Sequence, residues 1–225
     1  MTLIPHAGII ASVLLALPAS AAFSEAKPTQ IVRSADSDSA SARTAAILAT
    51  LPVSSDYATI QERKIEVDGE SALLVRLERT DGRNAGLGGE HFSAVVANSG
   101  ALKGFARMDL SLRDGALPSQ DEAHGIAMRF LADHAADLLP RHEISFISPH
   151  DEPIRANGKS AILTGMKVKM RNLADGRWFW VIVGSDREVM VFERDIVWAN
   201  LKGRRQTEKW LHDSWLAEQR KARGA

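Results

Sequence analysis

The chain has 225 residues, an apolar fraction of 45%, balanced charge (28 Lys+Arg against 28 Asp+Glu) and no cysteine. That is enough chain to bury a substantial core, in one large domain or two small ones. Even charge gives no bulk attraction to nucleic acid, and the missing thiols exclude disulfides, thiolate zinc sites and cysteine nucleophiles.

Residues 9–17 form a short apolar run, followed by Pro18 and the small residues Ala19-Ser20-Ala21-Ala22. This is the pattern of an export signal over residues 1–22, with cleavage expected after Ala21 or Ala22. No Lys or Arg precedes the run, so an uncleaved anchor over residues 4–23 is the alternative. A cleaved product is periplasmic or secreted. Residues 23–43 are rich in Ser, Ala and Asp without an apolar period and read as a flexible leader.

A short helix is expected from Thr44 to Leu51, before Pro52. Residues 60–67 and 72–77 read as strands turned at Asp68-Gly69, a strong hairpin signal. Asp81-Gly82 and a glycine-rich stretch, Asn84 to Glu90, come next, then strands over 92–97 and 101–112. Ser119 and Glu122 make a capping box for a helix whose one face carries Ala123, Ile126, Ala127, Phe130, Leu131, His134 and Leu138. Further strands are expected over 143–147, 161–171, 178–184 and 189–198. Between the first two of these, His150-Asp151-Glu152 with Pro149 and Pro153 reads as a linker. A last amphipathic helix is expected from about Thr207 to Arg220. Residues 201–225 hold seven basic and three acidic residues.

The most informative pattern is an internal echo. His91-Phe92-Ser93-Ala94-Val95-Val96 recurs as Trp178-Phe179-Trp180-Val181-Ile182-Val183, and Leu102, Phe105 and Arg107 recur in register as Val189, Phe192 and Arg194. Asp81-Gly82-Arg83 recurs as Asp175-Gly176-Arg177, but only the first copy has the insert Asn84 to Glu90. The echo predicts an α+β chain of two helix-plus-four-strand units, 44–117 and 118–200, and a covering C-terminal helix over 201–225. In the second copy Trp178, Trp180 and Ile182 fall on the strand face opposite Phe179, Val181 and Val183, so both faces need cover. Trp210, Leu211 and Trp215 on the last helix are expected to supply it over Trp178, Trp180 and Trp198.

Ser119-Gln120-Asp121-Glu122-Ala123 followed by Ile126-Ala127 resembles the helix of PepSY-type domains. Gly88-Gly89-Glu90 running into a strand, with a turn at Ser99-Gly100, resembles the strand pairs of thermolysin-type propeptides. The resemblance covers residues 60–138 and reaches the second copy through the echo. It implies a cystatin-like fold, export, and inhibition or chaperoning of a peptidase. No peptidase follows, and no His-Glu-x-x-His occurs.

No catalytic constellation is legible: there is no Gly-x-Ser-x-Gly elbow, and His124, His134, His142 and His150 do not share a metal-ligand spacing. No cofactor or metal is expected. Gly86-Leu87-Gly88-Gly89 feeds a strand rather than a helix, so it reads as a flexible hairpin extension able to serve as a contact loop, not a phosphate cradle. Arg107 and Arg194 read as structural ion-pair residues beside Asp109 and Asp195.

The candidate binding residues are therefore Trp178, Trp180 and Trp198, as core or as an aromatic groove, together with Gly88, Gly89 and His91. The expected function is an exported, non-catalytic module binding a peptidase or other envelope protein. The alternative is a carrier of a small apolar ligand, which requires a pocket of several hundred cubic ångströms. Membrane contact is expected only through an uncleaved signal or the basic C-terminal helix.

Overall fold

A computed structural model describes residues 29–199 and 204–224, with side-chain surroundings described over 39–199 and 204–222. The export signal at 1–22 lies outside the described residues. Strands β1 (Tyr57–Val67) and β2 (Glu70–Arg79) form the expected hairpin. Asp68 and Gly69 both take positive φ, 49° and 77°, as a two-residue turn matched to strand twist requires. The chain continues through β3 (His91–Ala97) and β4 (Leu102–Met108) to α1's successor, the helix α2 (Gln120–His134). Helix α1 itself spans Thr29–Leu48.

The second half contains β5 (His142–Ala156), β6 (Lys159–Asn172), β7 (Trp178–Val183) and β8 (Val189–Ile196). A two-strand ribbon of β9 (Trp198–Ala199) and β10 (Arg204–Arg205) leads to α3 (Asp213–Gly224). The capping box forms as expected: Ser119 accepts from the Glu122 amide, and Glu122 accepts from the Ser119 amide at 2.8 Å.

Two separate helix-plus-sheet units do not exist. All eight main strands join one antiparallel sheet in the order β1-β2-β3-β4-β8-β7-β6-β5. The junction is the pairing of β4 with β8, where Phe105 stands opposite Phe192, its own equivalent in the echo. A four-stranded unit ending at β4 would leave a row of N–H and C=O groups unpaired, and β8 satisfies them. One apolar core therefore runs through both halves on a single face. It unites Leu73, Phe92 and Phe105 with Val168, Phe179 and Phe192 beneath Ala123, Ala127 and Leu131 of α2.

Three further expectations change. Helix α1 occupies much of the stretch 23–43 that composition marks as a leader. The 148–153 linker is part of β5, a 15-residue strand paired with β6 through an Asn157-Gly158 turn (φ 50° and 76°). Pro149 and Pro153 are tolerated because β5 is an edge strand, where one side needs no ladder N–H. The last helix begins at Asp213, so Trp210 and Leu211 precede it.

The second face of the sheet has its own core, with Leu74, Val95, Met108, Leu163, Trp180, Ile182 and Leu211. The segment 205–217 crosses this face. Its approach is close: a Cβ on Gly104 would lie 2.5 Å from Leu211 Cδ1. Trp210 Nε1 donates to the Glu66 carbonyl at 2.7 Å, which anchors the crossing to β1.

Candidate functional site

The second face is polar where β2 and β3 carry Arg76, Glu78, His91 and Ser93, all buried. The sequence resolves this by bringing two loops and the C-terminal segment over them. The glycine-rich stretch 84–90 is one cover. Asn84, Gly86 and Gly88 take positive φ, and the Glu90 and Gly89 amides donate to the Asn84 and Gly86 carbonyls. The Glu90 carboxylate, fully buried, accepts from Asn84 Nδ2 at 2.7 Å, from Arg83 Nε and from the Leu110 amide. This stretch is hydrogen-bonded throughout, not a free extension.

The β5–β6 hairpin is the second cover. Its tip arches across the face to the glycine-rich loop. The Arg155 amide donates to the Gly88 carbonyl at 2.6 Å, Arg155 Nη2 to the Ala85 carbonyl at 2.8 Å, and the Asn157 amide to Asn84 Oδ1 at 2.7 Å. The third cover is the start of α3. Arg76 Nη1 and Nη2 donate to the two Asp213 carboxylate oxygens at 2.8 and 3.1 Å, and the Gly88 amide donates to Asp213 at 2.5 Å.

These covers border a half-open cavity of about 490 Å³. Its floor is Ala106, Met108 and Val191 with His91 and Glu193; its walls include Leu87, Ile154 and Leu211. The volume lies within the range of small-molecule sites.

Glu193, His212 and Asp213 at its edge are held in ion pairs. Glu193 is 3% exposed and is held by Arg205 Nη1 at 2.6 Å and His212 Nε2 at 2.9 Å. Burial alone raises its pKa, but His212 and Arg205 overcome this and bring it down to about 2. Burial likewise pulls His212 down, and Glu193 more than offsets it, so His212 is raised and carries charge. Burial raises Asp213, but Arg76, donating from two nitrogens, and the Gly88 amide outweigh it, so Asp213 lies below the usual carboxylate range.

His91 differs. It is 3% exposed, and burial holds its pKa below the ordinary value despite Asp213. Its Nδ1 sits 2.9 Å from the Gly89 carbonyl, which can only accept, so Nδ1 carries the proton. Nε2 is then a bare acceptor. Of the cavity-lining residues, His91 is the only one with a buried side-chain polar atom lacking a partner among the described residues.

Gly88, Gly89 and His91 thus meet at the cavity. Trp178, Trp180 and Trp198 do not; they lie toward the other end of the same face. Trp180 is 5% exposed, with the Lys167 ammonium 4.2 Å and the Arg205 guanidinium 5.8 Å from its ring. Trp198 is 39% exposed. Of the expected cover, Leu211 and Trp210 join the same apolar cluster as Trp180 and Trp178, while Trp210 and Trp215 stack edge to face at 4.8 Å and Trp210 lies under Arg63 of β1.

Arg107 pairs with Asp186 rather than Asp109, and Arg194 pairs with Asp137 and Asp195. His134 packs on Phe130, and His150 lies 3.4 Å from Glu152. No group of three His, Asp or Glu side chains suited to a metal occurs among the described residues. Residues that sequence reasoning missed are Glu193, His212 and Asp213, which the repeat pattern does not mark.

No protein-family model, curated protein or solved structure matches this chain.

Proposed function

We propose that the chain is a carrier of a small, largely apolar ligand held in the cavity between β3, β4, β8, the β5–β6 tip and α3. The observation that carries this is a sizeable, mainly apolar cavity in which Glu193 and Asp213 are ion-paired, while His91 Nε2 has no partner. An unpartnered buried nitrogen costs about 1–3 kcal/mol, which a ligand N–H or O–H donor offsets. Glu193 and Asp213, already paired with Arg205, His212 and Arg76, do not call for a cationic ligand. The favoured ligand is neutral, with an apolar body and a hydrogen-bond donor. Together with the export expected of the N-terminal segment, this makes the chain a periplasmic or secreted carrier.

N-phenyl-1-naphthylamine, a neutral aromatic amine that fluoresces in apolar sites, tests the reading. Saturable one-to-one binding is expected, abolished by Ala217→Trp, which fills the cavity from α3. His91→Ala keeps the apolar walls and is expected to weaken binding about tenfold, the loss of one hydrogen bond. Equal binding by wild type and the filled variant contradicts the proposal.

A further inference from the structure

The outer half of the same sheet face carries a second feature, independent of the cavity. Lys167, Lys169 and Arg171 alternate along β6 and so project from one face. Directly opposite Lys169 and Arg171 in the ladder stand Trp180 and Trp178 on β7, and Phe146 faces Lys169 from β5. The Lys169 ammonium lies 4.4 Å from the Trp178 ring, 5.5 Å from Phe146 and 6.0 Å from Trp198. Lys167 lies over Trp180.

Neither lysine has a carboxylate within ion-pair distance among the described residues, although the chain as a whole is neutral. Glu143 stands opposite Arg171 in the ladder, and Arg171 Nε donates to the Gly176 carbonyl. The Lys169 ammonium is set among aromatic rings, while Lys167 also feels the carboxylates of Glu193 and Glu152. Phe146 is 42% and Trp198 39% exposed, and at the same end of the sheet Ile144 and Leu173 are also exposed.

We infer that this lysine–aromatic face docks the protein onto an anionic lipid bilayer. The charge complements acidic headgroups, and Trp rings settle at headgroup depth, where an apolar body and a polar N–H are both satisfied. The aliphatic rim decides between a bilayer and a soluble polyanion. Leu173 has no favourable contact with a phosphate chain or with stacked bases, but it gains by entering the acyl boundary. This is a contact through the strands of the sheet. It is separate from the N-terminal segment and from the basic tail.

Sedimentation of the full chain with phosphatidylcholine vesicles, with and without phosphatidylglycerol, tests it. Tighter binding to the phosphatidylglycerol vesicles is expected, and weaker binding at high salt. Lys167→Gln with Lys169→Gln is expected to remove that preference, a loss of about tenfold or more at roughly 1 kcal/mol per basic residue. Phe146→Ser with Trp198→Ser keeps the charge and is expected to lower binding to the same vesicles. N-phenyl-1-naphthylamine binding by each variant reports folding and the cavity separately, and is expected to stay at the wild-type level. Equal binding to both vesicle types overturns the inference, as does an unchanged lysine variant. So does full vesicle binding by the Phe146/Trp198 variant combined with displacement by soluble polyphosphate, which assigns the face to a polyanion instead.

Discussion

The amide of Arg155 donates to the carbonyl of Gly88 at 2.6 Å, joining the tip region of one long hairpin to a loop at the far side of the sheet. This contact forms part of the cavity wall, because Gly88 and Arg155 both line it. The loop reaches that position only with its glycines in place. A Cβ on Gly89 would stand 1.6 Å from the Asn84 carbonyl oxygen, so the backbone has to move.

Gly89→Ala is therefore expected to destabilise the fold by about 2–4 kcal/mol and to abolish probe binding. Gly69→Ala is the control. Gly69 also has positive φ, but nothing lies within 4 Å of its Cβ position, so only the left-handed strain of about 1–2 kcal/mol applies. Urea unfolding and probe titration of both variants check this. Loss of binding in the Gly69 variant would show that the loop geometry is not the cause.

Arg76 holds α3 to the sheet. It is 4% exposed and lies between Glu78 and Asp213, at 2.8 Å from each. Arg76→Ala leaves two buried carboxylates unpaired, at an expected cost of about 3–5 kcal/mol. Arg76→Ala with Asp213→Asn relieves one of them and should recover part of the loss. Denaturant midpoints of the single and double variants measure the coupling, and additive losses would contradict the assigned pairing.

Two histidines set opposite pH limits. His91 is depressed by burial, so the folded chain keeps it neutral while the unfolded chain protonates near pH 6.5. Its contribution to stability is complete above that value and is lost as pH falls below it. His212 is raised by Glu193 in spite of burial. Its contribution is complete below the unfolded value and is lost as pH rises through the folded value. Stability measured between about pH 5 and pH 9 is thus expected to decline on both sides of a maximum. His91→Asn should flatten the acid limb and His212→Asn the alkaline limb. A His212 variant with an unchanged alkaline limb would break the assignment.

Much of the strand pattern is legible from residues alone. Asp68-Gly69 marks one hairpin, and the alternation of Phe92, Ala94 and Val96 with Ser93 and Val95 gives the correct faces. Asn157-Gly158 is an equally good turn signal, and it outweighs the two prolines that make residues 148–153 look like a linker. The merging of both halves into one sheet is not legible, because the β4–β8 ladder has three residue pairs and no local signal. The echo even points the other way, toward two units, although its equivalent residues Phe105 and Phe192 meet at the joint. Helix α1 escapes notice because its composition has no apolar period.

The candidate site is half legible. The insert before His91 and the polar residues His91 and Ser93 stand out against Trp178 and Trp180 in the echo. His212 and Asp213 do not, since charged residues at a helix start look like a solvated face until Arg76 and Glu193 are placed beneath them.

The ring nitrogens of His91 offer the most direct test of the ligand-carrier account. A long-range proton–nitrogen NMR spectrum near neutral pH should show a neutral ring with protonated Nδ1 and bare Nε2. Saturation with N-phenyl-1-naphthylamine should then shift the Nε2 resonance as it accepts the amine proton, with no such shift in the Ala217→Trp variant. A ring protonated at Nε2, or an Nε2 resonance that stays in place under saturating probe, would contradict the account.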